Sequence, residues 1–186
     1  MNEPAQRYDA TTVALHWIVA LAVLLQWLLG QGMHYLPKDW RHTDRQIHVY
    51  IGTALAIVLI VRLVWRLTRG RRIVEPATLL TLAAKAVHVL LYVTLFTIIG
   101  LGLFAVWNKG GPYIGGLITI DPYGHADKVA RKALSVKVVG IHELLANTVL
   151  CLAGLHAAAA LFHQYVLKDG VLARMIPALA ARRSSN

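Results

Sequence analysis

Acidic side chains are scarce in this 186-residue chain: nine Asp and Glu stand against 19 Lys and Arg. Charge of either sign is thin too, at 15% of residues, where a soluble domain carries about 25%. That shortfall argues against an ordinary water-soluble globule. Cysteine is limited to Cys151, inside an apolar stretch, which excludes an intrachain disulfide and leaves the thiol as a small apolar filler. Internal repeats and low-complexity segments are absent as well.

What is there is apolar: 57% of residues are hydrophobic and the mean hydropathy is positive. Four stretches are long enough to span a bilayer, roughly 12–31, 46–67, 82–107 and 140–167. Little remains for a soluble unit, so residues 1–186 read as one membrane domain. The first stretch follows Arg7, contains His16 and Gln26, and lacks an A-x-A-like cleavage site, so it reads as a retained helix. The expected fold class is an all-α membrane protein, a four-transmembrane-helix bundle.

The formal net charge of +10 invites a nucleic-acid reading, but the cations flank apolar spans. Arg62, Arg66, Arg69, Arg71, Arg72 and Lys85 cluster around the connection between spans two and three. Arg7 precedes span one, and Lys168, Arg174, Arg182 and Arg183 follow span four. The positive-inside rule then puts both termini and this connection in the cytoplasm. The outer side holds Lys38, Arg41, Arg45, Lys109, Lys128, Arg131, Lys132 and Lys137 against Asp39, Asp44, Asp121 and Asp127. Two uses fit those outer cations: contact with anionic headgroups, or a field that draws in a small anion.

Histidine is the informative residue. His142 and His156 stand fourteen residues apart on span four, so both rings project from nearly the same face, roughly 21 Å apart along the axis. Imidazoles at membrane depth are rare and usually functional. Topology places His16 near the inner end of span one and His48 near the outer end of span two. Four histidines thus form two pairs at matching depths, His48 with His142 outside and His16 with His156 inside. Zinc would want four ligands, usually with Cys or carboxylate among them. Two axial nitrogens from different helices suit a six-coordinate b-type haem, and small residues such as Ala146, Ala153, Ala160 and Gly52 lie beside the ligands. No C-x-x-C-H motif occurs, so any haem is held non-covalently.

The same interval of fourteen leads from His16 to Gly30 and from His48 to Arg62. Gly30 is expected at the outer haem level. Arg62 is expected beside the inner one, pairing with a haem propionate, with Arg66 as second candidate; snorkelling to lipid phosphate is the alternative for both. His163, seven residues after His156, continues the stripe to the cytoplasmic surface, where it could hydrogen-bond a quinone carbonyl or shuttle a proton. His34, His42 and His125 read as solvated outer residues. His88 reads as a core or headgroup contact without a partner at ligand spacing.

The segments ALHWIVA, QIHVYIG, AVHVLLY, WNKGGP and GIHELLANTVLCLAGLHAAAALFHQYVLKDG resemble the prokaryotic cytochrome b561 family over nearly the whole length. That resemblance implies a multi-pass bacterial inner-membrane protein with two haem b groups, ligated by His16 with His156 and by His48 with His142. It implies electron exchange with ubiquinone, and for short members oxidation of superoxide. With both axial positions filled, no residue is expected to be catalytic beyond the haems. The leading expectation is a superoxide:ubiquinone oxidoreductase. The alternative is a cytochrome b subunit linking a periplasmic dehydrogenase or other redox partner to the quinone pool. A haem-free transporter with proton-relaying histidines is a third reading, and self-association into a homo-oligomer stays open.

Overall fold

The computed structural model describes residues 7–71, 73, 78–108, 112–113, 118–119 and 128–176. Arg72, Lys109, Asp121, His125, Asp127, Arg182 and Arg183 lie outside the described residues. Among the described residues there are four long helices: α1 (Ala10–Tyr35), α2 (Lys38–Thr68), α3 (Leu79–Asn108) and α4 (Lys128–Phe162). A π-helical turn, His163–Leu167, continues α4, and a 3-10 turn follows at Leu172–Arg174. All four helices are long and apolar enough to cross a membrane. Two-residue strands, β1 (Pro112–Tyr113) and β2 (Ile118–Thr119), pair antiparallel between α3 and α4.

Each helix outruns its apolar window, because polar flanks go on forming helix after the hydrocarbon ends. The difference is largest in α4, which begins at Lys128 rather than near residue 140. Nothing in KVARKALSVKVV breaks a helix before Gly140. Residues expected in an outer loop, Arg131, Lys132 and Lys137 among them, therefore stand on a helix that runs beyond its apolar window. Lys85 likewise lies on α3 rather than in a connection.

Local chemistry ends the helices. Asp9 caps α1, its carboxylate accepting from the Thr12 amide at 2.8 Å and hydroxyl at 2.6 Å. The same carboxylate accepts from Trp65 Nε1 and the Arg71 amide, both at 3.0 Å, tying the start of α1 to the end of α2. Burial favours the protonated acid, but these hydrogen bonds prevail and hold the Asp9 carboxyl well below its usual range. At the other end Leu36 is extended (φ −70°, ψ 146°), as a residue before proline prefers, and α2 starts directly after Pro37.

Contacts are densest between α1 and α2 and between α3 and α4, so the bundle is two helical hairpins with more open seams between them. Val19, Leu55, Leu59, Leu95 and Val149, drawn from all four helices, form the buried core. At the end expected to face outward, called outer below with the opposite end called inner, Asn108, 1% exposed, locks the hairpin of α3 and α4. Its side-chain amide donates to Ser135 Oγ at 2.7 Å and the Arg131 carbonyl at 3.1 Å. The Arg131 guanidinium donates back to the Asn108 carbonyl, so this outer cation is engaged in closing α3.

Candidate functional site

The open seams are where the histidines meet. At the outer end His48 of α2 faces His142 of α4, ring centres 6.1 Å apart and planes at 71°. At the inner end His16 of α1 faces His156 of α4, at 6.3 Å and 69°. An imidazole nitrogen holds a first-row metal at about 2 Å and its ring centre sits about 1 Å behind, so two rings sharing one ion axially have centres about 6 Å apart. Both pairs have that separation. Among the described residues no group of three or more His, Cys, Asp and Glu could hold a metal ion by itself, so each pair brings together two imidazole donors and no further protein ligand of those types.

The outer pair is built from backbone and glycine. His142 Nδ1 lies 2.9 Å from the Ile98 carbonyl, which can only accept, so Nδ1 carries the proton and Nε2 keeps its lone pair. Gly102, one turn after Ile98, makes room for that ring: a Cβ there would stand 3.1 Å from His142 Cε1. Gly30 lies at the expected level, its hypothetical Cβ 3.8 Å from His48 Cε1. Gly52 serves a different neighbour, since a Cβ there would come within 2.6 Å of Gln26 Nε2. That amide donates to the His48 carbonyl at 2.9 Å.

The inner end holds three histidines rather than two. His88 of α3 lies 5.0 Å from His156, ring centre to ring centre, and its Nδ1 donates to the Ala84 carbonyl at 2.6 Å. Arg62 reaches this level as its spacing from His48 predicts. Its Nη2 stands 3.1 Å from His16 Nδ1 and its guanidinium lies over the Tyr92 ring at 5.2 Å. Arg66 instead packs over Tyr8 at 4.8 Å and donates to the Arg71 carbonyl, nearer the chain ends than the histidines.

Below this level His163 opens the π-helical turn and its Nδ1 bonds the Asp169 carboxylate. A left-handed Lys168 (φ 55°) swings Asp169 back, and the Val171 amide donates to its other oxygen at 3.2 Å. Burial again opposes the charged form, but the His163 and Val171 hydrogen bonds and nearby positive charge lower the Asp169 pKa. The segment then folds against α1, where Trp17 Nε1 donates to the Met175 carbonyl at 2.9 Å. A cavity of about 300 Å³ opens beside it, lined by Arg7, Tyr8, Ala10, Val13, Ala14, Ala173 and Arg174.

Sequence reasoning missed Gly102, Tyr92, Asp169 and the nearness of His88. Gly102 and Tyr92 carry no signal without knowing which faces of α3 turn inward. Asp169 could have been suspected from the Asp-Gly pair closing span four. His34 is exposed, as expected, and stands in the last turn of α1 with Nε2 3.8 Å from Glu143 Oε1.

The family profile described as prokaryotic cytochrome b561 matches residues 7–178. A probable superoxide oxidase CybB of Yersinia pestis is 29% identical over 92% of this chain and 97% of its own length. Cytochrome b561 homolog 2 of Escherichia coli is 31% identical over 94% and 93%. Cytochrome b562 of Cereibacter sphaeroides is 29% identical over 91% and 94%.

Proposed function

Because the chain belongs to the prokaryotic cytochrome b561 family, a family of haem b electron-transfer proteins, we propose that it oxidises periplasmic superoxide and reduces ubiquinone. It is a multi-pass protein of the bacterial inner membrane. One membrane domain, residues 1–186, would hold two b haems between its hairpins, with both termini in the cytoplasm. His48 and His142 would ligate the outer haem beside Gly30, and His16 and His156 the inner one. Bound there, the haems would carry electrons one at a time between the two membrane faces. Two superoxide anions yield two O2 and two electrons; ubiquinone takes those electrons with two protons to become ubiquinol.

The observation that supports this most directly is the pair of imidazole separations, 6.1 and 6.3 Å, at opposite ends of one apolar bundle. The chain's own groups divide the remaining work. Exposed Lys132 and Lys137 on the projecting part of α4 give an outward positive field that attracts a small anion. Arg62 cannot donate to His16 Nδ1 once that nitrogen carries a proton, as it does in a ring bound through Nε2. A haem carboxylate would then take the guanidinium. At the proposed cytoplasmic end His163, held by Asp169, would bond a quinone carbonyl and pass it a proton.

A stopped-flow superoxide pulse on purified, ubiquinone-loaded protein tests the proposal. Fast reduction of both haems followed by ubiquinol formation is expected, with the first step slowing as ionic strength rises. Haem reduction that needs an added protein donor favours the second reading, a subunit whose exposed α4 lysines dock a periplasmic redox protein. The relatives named only as cytochromes are compatible with that role.

A further inference from the structure

Among the described residues, two buried polar atoms one helical turn apart on α2 have no hydrogen-bond partner: Asp44 Oδ2 and His48 Nδ1. Their chemistries are complementary. A carboxylate oxygen accepts, and the Nδ1 of an imidazole bound to iron through Nε2 carries a proton to donate. Residues four apart share a helix face, and helical side chains lean toward the N-terminus. A His48 ring inclined that way would bring Nδ1 toward the Asp44 carboxylate, a hydrogen bond that this structure does not itself contain. Gln26 Oε1 is also buried and unpartnered, but its amide nitrogen is fixed to the His48 carbonyl and pressed on Gly52, at the opposite end of the ring's turn.

Helix α1 covers both side chains with glycine. A Cβ on Gly32 would lie 4.0 Å from Asp44 Oδ1, and one on Gly30 would lie 3.8 Å from His48 Cε1. On the partner helix the equivalent position at His142 is served by a neutral carbonyl, so the two outer rings face unlike acceptors.

We propose that Asp44 is a positioning residue of the outer site, taking the Nδ1 proton of His48 in a carboxylate–histidine–iron relay. A carboxylate there makes the ligand more basic. It stabilises the oxidised iron and lowers the outer haem's potential relative to a carbonyl-bonded ligand. This rests on the proposed ligation of the outer haem by His48 and His142.

Potentiometric titration of the purified two-haem protein and its variants tests it. Asp44→Asn should raise the midpoint potential of one haem and leave the other in place, and should move the g-values of one low-spin ferric EPR signal only. Asp44→Glu should restore both readouts toward wild type. Loss of one haem from D44N and its recovery in D44E also supports the role; loss in both overturns it. Two haems with unmoved potentials and EPR in D44N overturn it, as does an equal shift of both. A wild-type protein lacking two b haems would instead overturn the underlying ligation.

Discussion

His142 Nδ1 sits 2.9 Å from the carbonyl oxygen of Ile98, so one helix sets the tautomer of a ring carried by another. The bond fixes the ring's orientation as well as its proton, and points a lone pair rather than an N–H toward the seam. In the proposed outer site this would restrict the ligand's rotamer before any metal arrives.

Four single substitutions should sort the haems by level. His48→Ala and His142→Ala are each expected to leave one haem per chain, and His16→Ala and His156→Ala to leave the other. Haem-to-protein ratio and the EPR of the remaining ferric centre check this. His88→Ala separates ligation from proximity, since the ring lies 5.0 Å from His156 yet should be removable without loss of a haem.

Gly102→Val should disturb the outer site selectively. A Cβ there starts 3.1 Å from His142 Cε1, and overpacking of this kind costs roughly 1–3 kcal/mol. Lower outer-haem occupancy and a lower melting temperature are expected. Gly100→Ala, with nothing within 4 Å, should change neither.

Arg62→Gln removes a positive charge from the inner level and should lower one haem's midpoint potential. A shift of some tens of millivolts is expected, about 59 mV being a tenfold change for a one-electron couple. Arg66→Gln should shift it far less, because that guanidinium is engaged with Tyr8 and the Arg71 carbonyl.

Asp9 links α1 to α2 through four hydrogen bonds, and Asp9→Ala should cost roughly 1–2 kcal/mol. Its native pKa lies below the unfolded value, about 3.9. The stabilisation is therefore fully present above that value and fades as pH falls toward the native one. Thermal scans in detergent should show wild type and Asp9→Ala converging with acidification below about pH 4.

Asp169→Asn should uncouple the two ends of the proposed reaction. Haem reduction by superoxide is expected to stay within about twofold while ubiquinol formation slows by roughly tenfold or more, the scale of general acid–base effects. Equal slowing of both steps would place Asp169 in folding rather than proton supply.

The four spans and the shared levels of His48 with His142 and His16 with His156 were legible because both follow from helix geometry along one chain. A run of apolar residues reports a crossing, and a count along it reports depth. Fourteen steps from His48 do bring Arg62 to the inner level, where it meets His16. The same count brings Gly30 to His48 but does not tell that Gly52 accommodates Gln26. His88 shows why: depth was readable, but the angle at which α3 presents its face to α4 was not. The outer extension of α4 escaped because a hydropathy window ends where lipid does, not where helix does.

By itself, the amino-acid sequence determined an apolar four-helix chain, its cationic flanks, and two levels of paired imidazoles, since periodicity and hydropathy act locally. Only the tertiary structure decided which backbone carbonyl holds His142, which glycine on α3 admits its ring, where Asp44 is covered by α1, and how Asp169 returns to His163. Each of these depends on helices meeting at one rotation about their axes, or on a left-handed residue reversing the chain. Helix–helix packing selects that rotation through side chains far apart in sequence, and no spacing along a single helix encodes it.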